Sequence, residues 1–132
     1  MLINLSNHPS SLWGQLQTIE AVTSFGSITD MPFPAVAPEA DTIEILELAN
    51  KVGTDCIEMI KMSANSPSAV HIMGELTLCF AVVAMLQREG ITCIASTSLR
   101  NAEVENGVKS SVFNFCRFRE YPNLYHGNQG AF

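Results

Sequence analysis

Short apolar runs alternate along this chain with longer stretches in which apolar residues recur at helical spacing, and that alternation predicts the elements in order. Residues 1–7 are short, apolar and closed by Pro9, as a buried strand requires. Ser10 and Ser11 offer an N-cap to a helix in which Leu12, Leu16, Ile19 and Val22 keep helical spacing up to a stop at Gly26. Residues 28–33 form a second, less apolar strand ended by Pro32 and Pro34, and residues 34–38 form a loop. Asp41 followed by Glu44 is a capping-box pattern. The helix it opens carries the stripe Ile45, Ala49, Val52, Cys56 and Ile60, with Gly53 as the point where it would divide in two. After a turn cluster at 63–67, residues 69–73 are a third strand. Residues 75–89 are a helix apolar almost all round, expected to be buried on more than one side. Gly90 ends it, and residues 91–95 are the fourth strand.

A βαβαβαβ order with short connections calls for right-handed crossovers and a mostly parallel sheet. Beyond it, Asn106-Gly107 is a strong hairpin signal, because a tight turn there needs two positive-φ positions. Val112, Phe113, Phe115, Cys116 and Phe118 follow as a strand. The expected fold is therefore α/β: a Rossmann-like three-layer domain with a mostly parallel sheet of four strands and a C-terminal antiparallel hairpin at the edge. One domain covers residues 1–121 (core 1–101, hairpin 102–121), and residues 122–132 form a tail that is loose or packed as coil.

Composition narrows the classes. The chain has 132 residues, of which 47% are hydrophobic, enough to fill one core and to exclude a disordered body. The longest apolar run, residues 76–86, is far shorter than the ~20 residues of a membrane span. The opening Met1-Leu2-Ile3-Asn4 has neither a basic segment nor a small-residue cleavage site, so no secretory signal is expected. Cys56, Cys79, Cys93 and Cys116 are widely spaced in apolar contexts and read as reduced core residues, with no metal implied and a cytoplasmic address. The net charge of −6 argues against DNA as a partner. Before Arg88, Lys51 and Lys61 face nine acids, so any bound anion must draw its cations from the C-terminal third.

In open parallel α/β sheets, ligands bind outside the carboxyl ends of the strands. Polar residues gather at those places here: Ser6, Asn7 and His8 after strand one, with Ser10 and Ser11 opening the next helix; Gly74, Glu75 and Thr77 after strand three; Ser96, Thr97, Ser98 and Arg100 after strand four, with Lys109 beyond. Hydroxyls and helix-start amides donate, Gly74 permits close approach and Arg100 supplies charge, a set suited to phosphate or nucleotide. The plainer alternative is that the serines cap a helix and form a turn. His8 reads as a ligand contact, as a strand-end residue tied to backbone, or as a catalytic acid–base. His71 lies mid-strand, where a satisfied core histidine is the commoner case, and His126 lies in the tail. Glu75 either favours a helix dipole or takes a ribose hydroxyl. There is no GxGxxG, GxxxxGK[ST] or GxSxG, so no cofactor is expected.

The opening Leu2 to Pro9, Gln15-Leu16, the glycine-bearing end of strand three and Ser96-Thr97-Ser98-Leu99-Arg100 resemble small proteins of the CARF (CRISPR-associated Rossmann fold) superfamily over residues 1–101. The resemblance implies a homodimer that binds a cyclic oligoadenylate second messenger across the strand-end face, in antiviral defence. Some such proteins are ring nucleases that cut the messenger by 2′-hydroxyl attack; others only bind it. By position it implies Ser6, Asn7 and His8 in one binding loop and Ser96, Thr97 and Arg100 in another. The departure is charge, because ring nucleases often place more Lys or Arg here, and that favours binding over cleavage. Two other readings stand beside it. One is a small enzyme on phosphorylated or nucleoside substrates using His8 and Glu75 as an acid–base pair. The other is a structural subunit whose apolar helix and aromatic strand build an oligomeric assembly.

Overall fold

The computed structural model describes residues 1–63 and 67–125; the middle of the expected turn at 63–67 and most of the tail, His126 included, lie outside the described residues. The elements are β1 (Leu2–Ser6), a 3-10 turn (Ser10–Leu12), α1 (Gln15–Phe25), β2 (Ile28–Pro32), α2 (Thr42–Met62), β3 (Ala69–Ile72), α3 (Leu76–Arg88), β4 (Thr92–Glu105) and β5 (Val108–Glu120). They make an α/β fold around one five-stranded mixed sheet in the order β2-β1-β3-β4-β5. Neighbours among β1 to β4 run parallel, and β5 runs antiparallel to β4.

The apolar run of β1 follows from its place in the sheet. All five of its residues are buried, because both faces are covered. Side chains alternate between those faces. Ile3, Leu5, Val70, Ile72 and Cys93 pack with Ile45, Ala49, Val52 and Cys56 of α2 and with Leu78, Val82 and Leu86 of α3. On the opposite face Leu2, Ala69 and Ile94 meet Trp13 and, from α1, Ala21 and Phe25.

The capping box at Asp41 and Glu44 is made in full: Glu44 N–H donates to Asp41 Oδ1 at 2.9 Å and Asp41 N–H to Glu44 Oε2 at 2.7 Å. The helix it opens is unbroken for 21 residues and does not divide at Gly53. Gly53 marks instead a close approach of α3, since a Cβ there would lie 2.4 Å from the Met85 sulfur. Gly26 ends α1 at φ 82° with its N–H on the Val22 carbonyl, and Gly90 follows α3 at φ 73°.

Other expectations for the helices change. Ser10 and Ser11 do not cap α1; they lie in the 3-10 turn, and Gly14 holds the N-cap position without a side-chain bond. The helix also buries a different side from its apolar stripe. Gln17 and Ala21 face inward, while Leu16 (57% exposed) and Ile19 (53%) face out with Leu12 and Val22. Nor is α3 buried all round: Leu78, Cys79, Val82, Val83 and Leu86 are covered, but Leu76 (83%) and Phe80 (79%) are exposed.

The fourth strand does not end at Ala95. β4 continues through Ser96-Thr97-Ser98 to Glu105, turns at Asn106 (φ 52°) and Gly107 (φ 77°), and returns as β5 from Val108. The turn chemistry is as expected and the strands are longer. An antiparallel partner supplies the ladder that a polar stretch needs to remain a strand without a buried face. Between Thr97 and Ser98 the register shifts: Thr97 pairs with Arg117 and Ser98 with Phe115, which leaves Cys116 as the extra residue of a bulge. From Ser98 to Asn114 the hairpin is an exposed arm running past the parallel strands. Cys116 is therefore exposed, unlike Cys56, Cys79 and Cys93, and burial pushes the thiols of Cys56 and Cys93 up to about 12. Among the described residues no helix is long and apolar enough to cross a membrane.

Candidate functional site

Register and alternation together set four polar side chains in a row across the sheet. Asn4 of β1 pairs with Asp30 of β2 on one side and with His71 of β3 on the other. His71 in turn pairs with Ile94, so Ser96, two residues on, shares its face of β4. Asn4 Nδ2 donates to Asp30 Oδ1 at 2.8 Å; Asn4 Oδ1 lies 2.9 Å from His71 Nδ1; His71 Nε2 lies 3.2 Å from Ser96 Oγ. Asn4 is 1% exposed and His71 2%, so these bonds replace water. Burial, helped by the charge of nearby His8, pushes the His71 pKa down from 6.5 to about 4, and the ring is neutral at physiological pH.

The loop after β1 is tied to this row through the carbonyl of His8. That oxygen accepts from Asn4 Nδ2 at 3.0 Å, Ser6 Oγ at 3.1 Å and Trp13 Nε1 at 3.2 Å. Ser6 Oγ has one proton, for which Asn4 Oδ1 at 2.8 Å is the nearer acceptor, and it accepts from His8 N–H at 3.2 Å. Ser10 closes the other end, its N–H and Oγ on the two oxygens of Asp30 at 3.0 and 2.8 Å. Hydrogen bonds from Asn4 and Ser10 outweigh partial burial and hold the Asp30 carboxyl below its usual pKa.

Above the row opens a cleft of about 690 Å³. Ser6, His8, His71, Ser96 and Ser98 line it on the sheet side, with Trp13 after the 3-10 turn, Gln15 and Gln17 from the start of α1, and Phe113, Asn114 and Phe115 of β5. Trp13 meets the His71 ring edge-on with centroids 5.4 Å apart, and Phe118 stands 5.7 Å from His71 and 4.9 Å from Phe115. None of the described lining residues is Lys, Arg, Asp or Glu. The cleft thus offers hydroxyl, amide and imidazole groups between aromatic walls.

Of the residues singled out in the sequence, Ser6, His8, Ser96 and Ser98 come together in this cleft, and Ser10 supports it through Asp30. Asn7, Ser11 and Thr97 do not line it; Thr97 Oγ1 is spent on the Arg117 carbonyl at 3.1 Å. Glu75 caps α3, accepting from Thr77 N–H, Leu78 N–H and Thr77 Oγ1, so this pair closes a helix end apart from His8. Those three bonds hold the Glu75 carboxyl below its ordinary pKa. Gly74 belongs to a different, apolar cavity of about 520 Å³ between α3 and residues 121–125, and a Cβ on it would come within 2.5 Å of the Phe33 ring. Arg100 lies on the arm, its guanidinium bonded to Ser111 Oγ and 5.9 Å from the Phe113 centroid, and Lys109 sits near the tip opposite Val104. Neither cation lines the cleft. Asn4 and Asp30 were not singled out, and His71 was taken for core. Their signal is a polar residue at the same register position on one face of three neighbouring strands.

Among the described residues no cluster of three or more His, Cys, Asp or Glu could hold a metal ion. The family described as Uncharacterized protein MJ1673 matches residues 1–119, and the chain belongs to that family. No curated protein and no solved structure matches it.

Proposed function

We propose that this member of the MJ1673 family is a Rossmann-like, CARF-type sensor of the cytoplasm that binds a cyclic oligoadenylate or related nucleotide as a homodimer. The reading is carried by one observation: a polar row, Asp30–Asn4–His71–Ser96, buried at Asn4 and His71 and exposed at Asp30, brings His71 and Ser96 to the floor of an aromatic-walled cleft that the carboxyl ends of the parallel strands open into. Base stacking on Trp13, Phe113 or Phe115 is tolerant of geometry and contributes about 1–3 kcal/mol per base. The hydroxyl of Ser98 and the amides of Gln15 and Asn114 offer hydrogen bonds to ribose and phosphate. Lining of this kind holds a nucleotide better than it cuts one. A neutral His71 is a poor proton carrier at pH 7, and the described lining holds no Lys or Arg to neutralise a transition state.

The chain has a single tryptophan, and it lines the cleft, so its fluorescence reports occupancy. Titration with cyclic tri-, tetra- and hexa-adenylate is expected to change Trp13 emission saturably for one ring size, with at least a tenfold weaker response in Phe113→Ala. No response to any of the three would remove the reading.

The outward stripe of α1 supports the second copy. Leu16, Ile19 and Val22 of α1, and Leu12 of the turn before it, are all exposed, with Leu12 and Leu16 at the cleft itself, and apolar surface of this kind costs solubility unless covered. Sedimentation of the parent is expected to give a dimer and of Ile19→Glu a monomer with unchanged circular dichroism. A monomeric parent would contradict the dimer.

A further inference from the structure

The hydrogen-bond row has a direction, and the direction can be traced from its charged end. Asp30 at neutral pH has only acceptor oxygens, and the His8 carbonyl is likewise an acceptor. Both face the same nitrogen of Asn4, at 2.8 and 3.0 Å, so that atom must be the NH₂. A flipped amide would set its oxygen against two oxygens. Asn4 Oδ1 therefore faces His71 Nδ1, which must carry the ring proton to make the 2.9 Å contact. In a neutral imidazole the other nitrogen then has a lone pair. Ser96 Oγ, 3.2 Å from that Nε2, donates its only proton to it.

From this we infer that Ser96 presents only lone pairs to the cleft and that the site selects a ligand hydrogen-bond donor, an exocyclic amine or a sugar hydroxyl, at that point and rejects a phosphate or carbonyl oxygen there. Ser96 is then a specificity-determining contact, and Asp30, Asn4 and His71 are positioning residues that act through it. The selection has a physical basis of known size, because a site built to pair a polar group loses heavily when the analogue leaves that group unpaired. The inference rests on the nucleotide reading above and adds which edge of the nucleotide faces the sheet.

Two measurements test it, and they fail separately from the nucleotide reading. Nitrogen-15 spectra of the ligand-free protein at pH 7 report the His71 tautomer; the proton is expected on Nδ1, and a proton on Nε2 would overturn the inference whatever the ligand. Binding is then compared for the cyclic oligoadenylate that responds in titration, its inosine analogue (carbonyl for amine) and its 2′-O-methyl analogue (ether for hydroxyl). One of the two analogues is expected to bind the parent at least tenfold more weakly, and the difference should vanish in Ser96→Ala. Asp30→Asn, which removes one of the two acceptors that hold the Asn4 amide nitrogen, should shrink the same difference. Equal affinity for all three ligands, or a difference that persists in Ser96→Ala, would overturn the donor selection. Failure of every cyclic oligoadenylate to bind would remove the nucleotide reading and with it the selection, while the tautomer would still decide the direction of the row.

Discussion

Asn4→Ala is expected to lower the folding stability by about 2–4 kcal/mol, more than an Asn→Ala change at an exposed site, because it deprives the buried His71 and Ser6, together with Asp30 and the His8 carbonyl, of their partner at once. The amide of Asn4 serves Asp30 and the His8 carbonyl through its nitrogen, and His71 and Ser6 through its oxygen. Water has little access to repair the loss, since Asn4 is 1% exposed and His71 2%. Ser6→Ala removes a smaller share and should cost about 1 kcal/mol. Urea unfolding of the two variants gives the comparison. Equal costs would mean that the row relaxes around Asn4 and is no unit. A double-mutant cycle of Asn4→Ala with His71→Gln should show coupling of at least about 1 kcal/mol, as contacts within one network do.

Acid is expected to weaken the fold well before the carboxylates titrate. His71 takes up a proton at about pH 4 in the native protein and at 6.5 in the unfolded chain. Between those values unfolding binds a proton, so stability is complete above 6.5 and falls as the pH drops through the window. At about 1.4 kcal/mol for each pH unit the loss approaches roughly 3 kcal/mol by pH 4. The depressed Asp30 carboxyl acts in the same direction only below its ordinary 3.8, so the two effects are separable. Denaturant midpoints from pH 7.5 to 4 should show the slope, and His71→Gln should flatten it. A parent midpoint independent of pH between 6.5 and 4.5 would contradict a buried neutral His71.

How far the sequence foretold this structure depended on which physical signal each segment carries. The capping box of α2, the stops at Gly26 and Gly90 and the Asn106-Gly107 turn are local chemistry, and each stands where the residues put it. Helix α1 misled because amphipathic spacing tells which residues share a face and not which face is covered; its apolar stripe points outward. β4 misled because Ser96-Thr97-Ser98 has the composition of a turn, and only the distant partner β5 keeps it extended. The site was half legible for the same reason. Ser6, His8, Ser96 and Ser98 were found by their place at strand ends, whereas Asp30, Asn4 and His71 become a unit only through the register of three strands. Charge is a poor guide here: Arg100 and Lys109 are cations close in sequence to the strand-end serines, yet the arm carries both outside the lining of the cleft.

The central claim is that ligand enters the cleft over the polar row and not the apolar cavity beside α3. Backbone amide spectra recorded during titration with the cyclic oligoadenylate that binds would locate it. The account predicts the largest shifts at His8, Gln15, Ser96, Ser98 and Asn114, with the Trp13 indole signal moving in step. Shifts confined to Leu76, Phe80, Ala84 and Tyr125, which line the cavity between α3 and residues 121–125, would contradict it.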